Sequence, residues 1–291
     1  MTLDDFFSGS EDVWKKELAR RAKEAADKLA ADLVARRAEI EGRRGVKPSQ
    51  IEPAGTRPPL PVSTDFGIQE NPDYYRITGI QHRGSVVAYD LSKSLLGSKT
   101  QDAHAKHAVK VGPDKFRGCS SALVYAIAKS LYVHKDVDKF KGTVETARAS
   151  LQEHFAGNWL STLSRAHYTP QGLDEIVHDY GQKTHYDVPA DLVGPDGLII
   201  DANVNAQTYA QALLGTIDDV DSINKVMEWI GGKPAYAYRL NNRPEKNEER
   251  VVALGVSDND WFVLVASAGI VNVRSALGVR PVEQKVLGGL Q

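Results

Sequence analysis

The chain has 291 residues, of which 42% are hydrophobic and 25% are charged, proportions typical of a soluble globular protein with one or two domains. Its formal net charge of −2 argues against a dominant electrostatic attraction to nucleic acid or to an anionic membrane, although a local basic patch remains compatible with it. One cysteine, Cys119, excludes an intrachain disulfide framework and a zinc site built from several cysteines.

The N-terminal residues, Met1 to Asp5, lack the basic region and the apolar core of a signal peptide. No apolar run in the sequence reaches the length needed to cross a membrane. We therefore expect no membrane partner and a cytoplasmic protein.

Residues 1–46 are predicted to form a charged N-terminal helical arm, with its helix over residues 11–44. Ser10 is suited to the N-cap, and Glu11 and Asp12 complement the helix dipole in the first turn. A discontinuous apolar stripe follows, formed by Trp14, Leu18, Leu29, Leu33, Val34 and Ile40. The stripe is too narrow for a core of its own, so it predicts packing against another helix, such as a second copy in a homo-oligomer. A solvated arm without function is the alternative.

Residues 47–66 are predicted to be a linker, because five prolines between Pro48 and Pro61 favour an extended backbone. The compact body is then expected over residues 67–291. A β-hairpin is predicted near its start, over residues 74–89, where apolar positions alternate around Gly79 and Gly84.

A helical middle follows in the sequence. Helices are predicted over residues 91–96, around 104–107, and over 121–134, 143–166, 207–214 and 220–230, the last ending at Gly231 and Gly232. A strand over residues 236–240 then leads into the C-terminal stretch. The order of strands, helices and strands is typical of an α+β protein.

His104 and His107 are three residues apart, a spacing that metal sites use, but the sequence offers no third ligand nearby. Two solvent-facing histidines are therefore favoured. Cys119 lies just before a predicted helix start at Ala122, where the helix N-terminus could activate a nucleophile. A small buried side chain without chemistry is the alternative, and no partner histidine is identifiable.

Three carboxylates, Asp191, Asp196 and Asp201, lie in a stretch rich in Gly, Asp and Pro and could provide oxygen ligands for calcium. Turns also attract Asp for backbone reasons alone. No other cofactor is predicted, and the sequence makes no strong case for binding nucleic acid.

The C-terminal stretch over residues 249–282 is predicted to form short strands, because β-branched and aromatic residues alternate there with turn residues. Arg250, Arg274 and Arg280 interrupt otherwise neutral strands. A guanidinium at a strand end can bind several carbonyls or a carboxylate, so Arg250 and Arg280 are predicted to be structural, together with Gly278.

The segment Trp261-Phe262-Val263-Leu264, followed by Arg274-Ser275-Ala276-Leu277-Gly278-Val279-Arg280, resembles the C-terminal signature of formylglycine-generating-enzyme-like domains. These domains are a branch of the C-type lectin fold, and the branch includes the variable proteins of diversity-generating retroelements. The resemblance covers roughly the last 55 residues and implies a lectin-like portion over about 180–285. Val279 and Pro281 depart from the usual closing motif. The paired cysteines that bind copper in the enzymes of this branch are missing.

Retroelement mutagenesis at adenines gives a restricted set of residue types, and all positions from Phe262 to Val273 belong to that set. A buried strand would lack charges in the same way and explains the run equally well.

The sequence therefore predicts a ligand-binding, protein-binding display domain rather than an enzyme. Its predicted contact residues are Asn259, Trp261, Phe262, Leu264, Ala266, Ser267, Ile270, Asn272 and Arg274. A structural or assembly component of a phage or mobile element is one alternative. An enzyme with its site around Cys119 or around residues 187–201 is the other.

Overall fold

The computed structural model describes residues 65–156 and 158–282, all within one compact unit. The predicted helical arm over residues 1–46 and all but the end of the predicted linker lie outside the described residues. Within the described part, five helices and three sheets form a mixed α+β architecture, so the predicted class is confirmed.

The first sheet brings the start of the described chain together with its end. Its strands are β1 Gly67–Glu70, β2 Tyr74–His82, β3 Ser85–Ser92 and β13 Val279–Pro281, in the order β1-β2-β3-β13. Arg83 and Gly84 link β2 to β3 with φ angles of 53° and 71°, and this left-handed two-residue turn suits the twist of a hairpin. The predicted hairpin is confirmed.

The second sheet has seven strands and carries the C-terminal stretch at its centre. Its strands are β5 Trp159–Tyr168, β6 Glu175–His178, β7 Tyr186–Pro189, β8 Gly197–Leu198, β9 Ala235–Tyr238, β10 Glu248–Val256 and β11 Phe262–Ala268. The order is β7-β6-β5-β10-β11-β9-β8. Only the β11–β9 pairing is parallel among these strands. A small antiparallel ribbon joins β4 Leu96–Lys99 to β12 Arg274–Ala276.

Four of the five helices pack on one face of the seven-stranded sheet, and the first packs against β5 on the opposite face. They are α1 Gln101–Val111, α2 Ser121–Val133, α3 Lys141–Phe155, α4 Gln207–Leu214 and α5 Val220–Gly231. Helix α2 is central, because it contacts α4, α5 and strands of both larger sheets. The Asp219 side chain caps α5 at its start, and Gly232 ends it with a φ of 71°, which glycine adopts without strain.

The seven-stranded sheet separates two hydrophobic clusters. The larger one lies between the sheet and helices α2 to α5, and it includes Phe155, Phe262 and Leu264. The smaller one lies on the opposite face and consists of Val251, Ala253, Val263, Val265 and Ala268, partly covered by Trp159, Tyr236 and Trp261. We call this second side the outer face of the sheet.

Two predicted helices are wrong in extent. The helix predicted over residues 143–166 ends at Phe155, and residues 159–168 form strand β5 instead. Nearly all of β5 is buried on both faces, so its apolar run lacks the alternation that identifies a strand. The helix predicted over residues 91–96 is also wrong, because it spans the end of β3 and the start of β4.

No helix in the part of the chain that the structure describes is long and apolar enough to cross a lipid bilayer.

Candidate functional site

Strand β11 carries several of the predicted contact residues, and its two faces have different environments. Phe262, Leu264 and Ala266 point into the core and have 0% exposure. The Phe262 ring packs edge-on against Phe155 with centroids 5.0 Å apart. The prediction that these three side chains lie on an exposed surface is therefore wrong, because side chains alternate along a strand and one face of β11 covers the helices.

The outer face of the sheet carries four aromatic side chains, Trp159, Tyr236, Tyr238 and Trp261, which we call the aromatic set. Tyr236 and Trp261 stack with centroids 5.9 Å apart and an interplanar angle of 24°. Trp159 meets Tyr238 edge-on at 6.1 Å. The parallel pairing of β9 with β11 places Tyr236 beside Val263 and Tyr238 beside Val265, so the rings lie over the smaller hydrophobic cluster.

The remaining predicted contact residues surround the aromatic set. Asn259 is exposed in the turn before Trp261, and Ser267 is half-buried at the end of β11, beside Ala268 and within the register shift between β10 and β11. Ile270 and Asn272 are exposed in the turn after β11, which also exposes Val271 and Val273 to 75% and 60%. The structure thus brings five of the nine predicted residues, Asn259, Trp261, Ile270, Asn272 and Arg274, into the aromatic set or the segments that adjoin it.

Arg274 joins this turn to the aromatic set. Its guanidinium carbon lies 5.8 Å from the centre of the Trp159 ring. Its carbonyl accepts a hydrogen bond from His104 Nε2 at 2.9 Å, which fixes the backbone of β12 above helix α1. Burial lowers the pKa of the Arg274 guanidinium, and its Nη1 has no hydrogen-bond partner among the described residues. Directly opposite Arg274 on the ribbon lies Lys99.

The predicted structural residues have separate contacts. Arg280 and Arg76 both bind the carboxylate of Asp90, which is 1% exposed, and Arg280 thereby joins β13 to β3. Burial alone would raise the pKa of Asp90, but the hydrogen bonds from the two guanidiniums outweigh it and lower that pKa. Arg250 pairs with Glu248 on its own strand. The carbonyl of the buried Gly278 accepts a hydrogen bond from the backbone N–H of Ser92, 2.9 Å away.

The structure does not place His104 in a metal site or Cys119 in a catalytic site. His104 is 1% exposed rather than solvent-facing, and its Nε2 is bound to the Arg274 carbonyl. Cys119 is buried, and burial raises the pKa of its thiol to about 12, which disfavours the thiolate that a nucleophile needs. Helix α2 begins at Ser121, as predicted for the helix over residues 121–134 and one residue before the start at Ala122 assumed for an activated Cys119.

The three carboxylates considered for calcium are engaged separately. Asp196 accepts the N–H of Arg239 at 2.7 Å, Asp191 pairs with Arg243 at 3.2 Å, and Asp201 caps a turn at Asn203. Over residues 65–156 and 158–282, no group of three or more His, Cys, Asp or Glu side chains could hold a metal ion.

One buried polar chain was missed by sequence reasoning. Ser164 Oγ lies 2.8 Å from His178 Nδ1 and 2.9 Å from Ser121 Oγ, and it accepts the backbone N–H of Ser121 at 3.0 Å. His178 Nε2 lies 2.9 Å from the carbonyl of Ala212, so Nε2 carries the proton and Nδ1 accepts the one from Ser164. All three side chains are 0% exposed.

A serine that donates to a neutral histidine is an arrangement found in nucleophilic catalysis. Here the series of hydrogen bonds ends at a backbone carbonyl on each side: Ser121 bonds to that of Leu213 and His178 to that of Ala212. Both serines lie inside the core. These hydrogen bonds therefore connect the first turn of α2 to β5, β6 and α4. Its only sequence signal is His178 at the end of the apolar run Ile176-Val177, which marks a strand entering the core.

A cleft lies between β7 and α4, with a volume of about 340 Å³. Tyr186, Val188, Gln211 and Ile217 are among its lining residues. Tyr186 Oη has no hydrogen-bond partner in the described part of the chain, but Gln211 already donates to the carbonyls of Ile217 and Asp218. The cleft thus offers few convergent polar groups, and the aromatic set is the stronger candidate site.

In comparisons with protein-family models, with curated proteins and with solved structures, the chain matches none.

Proposed function

We propose that this chain is a non-enzymatic protein-binding domain whose contact surface is the aromatic set with the apolar turn after β11. One observation carries the proposal: four aromatic rings lie together on the outer face of the sheet, over the smaller hydrophobic cluster and opposite the face on which helices α2 to α5 pack. Aromatic side chains provide much of the binding energy in protein interfaces, because they bury a large area and lose few rotamers.

The neighbouring turn extends this surface. Ile270, Val271 and Val273 are all exposed and follow β11 directly, and Arg274 then lies over Trp159. Single exposed apolar residues are ordinary, but a contiguous apolar group beside aromatic rings is typical of an interaction site. The polar side chains Asn259, Ser267 and Asn272 would form its rim, as in other interfaces.

The narrower proposal is a lectin-like display protein of the kind that diversity-generating retroelements vary. It rests on the resemblance of residues 261–280 to that family. Phe262, Leu264 and Ala266 are excluded as contacts, since their variation would disrupt the core. We expect the adjacent DNA to hold a near-copy of the coding region for residues 250–282 that differs at adenines, next to a reverse transcriptase gene. If both are missing, the narrower proposal is wrong while protein binding stands.

Protein binding is tested by selecting peptides from a displayed library of random 12-residue sequences on the immobilised full chain. We expect enriched peptides to bind the wild-type protein and to lose at least tenfold in affinity for a Tyr238→Ser, Trp261→Ser variant, measured by fluorescence anisotropy. Ile217→Ser is the matched control, because Ile217 is 90% exposed but belongs to the helical side of the sheet.

Thermal unfolding of each variant establishes that it remains folded. No enrichment over an unrelated immobilised protein would overturn the proposal. Enriched peptides that bind the double variant as well as the wild type would also overturn it, because their site would lie elsewhere.

A further inference from the structure

We propose that the surface formed by the aromatic set binds an acidic segment of its protein partner, and that Arg274 and Lys99 together bind a carboxylate of that segment. This inference rests on the proposed function and adds the chemistry of the partner.

The two cations are held close together by the backbone. Arg274 and Lys99 lie directly opposite each other in the antiparallel ribbon of β12 and β4. Side chains at such positions point to the same face with Cβ atoms about 5 Å apart, so both can reach one carboxylate.

Neither cation has an acidic neighbour in the described residues. Arg76, Arg165, Arg243, Arg250 and Arg280 all bind carboxylates, whereas Arg274 and Lys99 make no ion pair within this part of the chain. Arg274 is half-buried, with Nη1 inaccessible and without a hydrogen-bond partner there. Its guanidinium has therefore lost part of its hydration without a compensating contact. An anion bound to the part of the side chain that remains exposed would offset that loss.

The position of Arg274 beside Trp159 favours a peptide. The guanidinium lies 5.8 Å from the ring centre of Trp159, which also touches Tyr238, so a carboxylate on Arg274 would bring neighbouring apolar side chains onto the aromatic set. The Ser98 and Ser275 hydroxyls, one residue further along each strand of the ribbon, bond to each other at 3.0 Å. Two cations beside aromatic rings, in a chain of net charge −2, suit one or two carboxylates better than a nucleic-acid backbone.

The test uses the peptides selected from the random 12-residue library on the full chain. We expect Asp or Glu to be enriched next to an apolar or aromatic residue. We expect each acidic peptide to bind an Arg274→Gln, Lys99→Gln variant about 10- to 100-fold more weakly, as for a lost charge-assisted hydrogen bond. Replacing the acidic residue by Gln or Asn in the peptide should cause the same loss, and the two losses should not add.

Lys233→Gln is the matched control, because Lys233 lies near the same surface but already pairs with Asp260 at 3.1 Å. It should change affinity less than twofold. Arg274→Lys should recover part of the binding, and thermal unfolding of every variant shows that it is folded.

The outcomes separate the two proposals. Without enriched peptides, the proposed function fails. If peptides that depend on Tyr238 and Trp261 lack acidic residues, or bind the charge variant unchanged, the function stands and this inference is wrong. Tight binding of a 20-residue oligothymidylate that is lost in the charge variant would overturn the inference in favour of nucleic acid.

Discussion

At the scale of single residues, the burial of His178 makes the free energy of unfolding depend on pH. Burial lowers the pKa of this imidazole to about 4, from an ordinary value of 6.5. As pH falls below 6.5, the unfolded chain therefore takes up a proton that the folded protein still excludes. The free energy of unfolding then falls until the pH reaches about 4, by up to about 3 kcal/mol from this residue. Burial also lowers the pKa of His82, His104 and His154, in the same direction.

We predict that His178→Gln makes the protein less stable at pH 7 and flattens the decline in stability from pH 7 to pH 5. The glutamine amide can still donate to the Ala212 carbonyl but leaves the Ser164 hydroxyl without its acceptor. Urea unfolding at both pH values measures the effect. The control is His185→Gln at an exposed site, which should leave the slope as it is. An unchanged slope in His178→Gln would contradict this account.

The residue scale also shows what a sequence can and cannot reveal. That Arg280 would bind a carboxylate follows from its type and its place at a strand end. Its partner Asp90 lies 190 positions earlier, and the pairing of β13 with β3 that joins them is a long-range contact with no local signal. His104 was misplaced for the same reason, since its hydrogen-bond partner is the distant carbonyl of Arg274.

At the scale of elements, β11 and the turn after it should respond to mutation in opposite ways. Leu264→Asp places an unpaired charge in the core beneath the helices, so we predict a loss of about 4–5 kcal/mol or failure to fold. Val271→Asp lies in the exposed turn and should stay within about 0.5 kcal/mol of the wild type. Urea unfolding compares the two. Equal losses would mean that the turn is packed and cannot serve as a contact surface.

Helix α5 and β11 meet at Gly231, where space is the limiting factor. A Cβ at Gly231 would lie 2.1 Å from Cδ2 of Phe262, and that ring is fully buried against Phe155. Gly231→Ala should therefore destabilise the protein by about 1–3 kcal/mol. Gly142, in the first turn of α3, has open space: beyond its chain neighbours and the backbone of its own helix, no described atom lies within 4 Å of an added methyl group.

Gly142→Ala is accordingly the control substitution, and it should stabilise the protein by about 0.5 kcal/mol through the lower backbone entropy of the unfolded chain. Thermal unfolding at one protein concentration measures both variants. A Gly231→Ala protein as stable as the wild type would show that Phe262 can move aside without loss of packing.

Elements were predictable where local chemistry marks their ends. Helix α4 over 207–214 and helix α5 over 220–231 agree with the sequence, because Asp219 and Gly232 mark the ends of α5 and Gly215, in a left-handed conformation, ends α4. Strand β5 was predicted to be helical because burial on both faces removes its alternation. In β11 the strand was found, but a sequence without charges does not say which side chains face the core.

At the scale of the whole molecule, the α+β class follows from the order of the elements, but the arrangement of the strands does not. The parallel pairing of β9 with β11 brings Tyr236 and Tyr238 beside the C-terminal stretch, and this creates the aromatic set. Trp159 arrives from the other side through β5 and β10. Sequence reasoning named Trp261 and Arg274 as contact residues, but three of the four rings come from elsewhere in the chain.

The last prediction concerns oligomers. Residues 59–291 form a compact unit with its own core, so a chain that starts at Pro59 should fold alone. The apolar stripe of the predicted helix over residues 11–44 is expected to associate with a second copy. We therefore predict that the full chain is an oligomer and that the shortened chain is a monomer with a melting temperature within a few degrees of the full chain, measured by light scattering and calorimetry.

Leu29→Asp with Leu33→Asp in the full chain should have the same effect as the deletion, because both leucines belong to the stripe. Binding of a selected peptide to the shortened chain should keep its affinity for a single site, whereas a surface coated with that peptide should retain the oligomer longer, because linked sites rebind. If the full chain is a monomer, the alternative of a solvated arm without function is correct, and the protein binds through a single site without avidity.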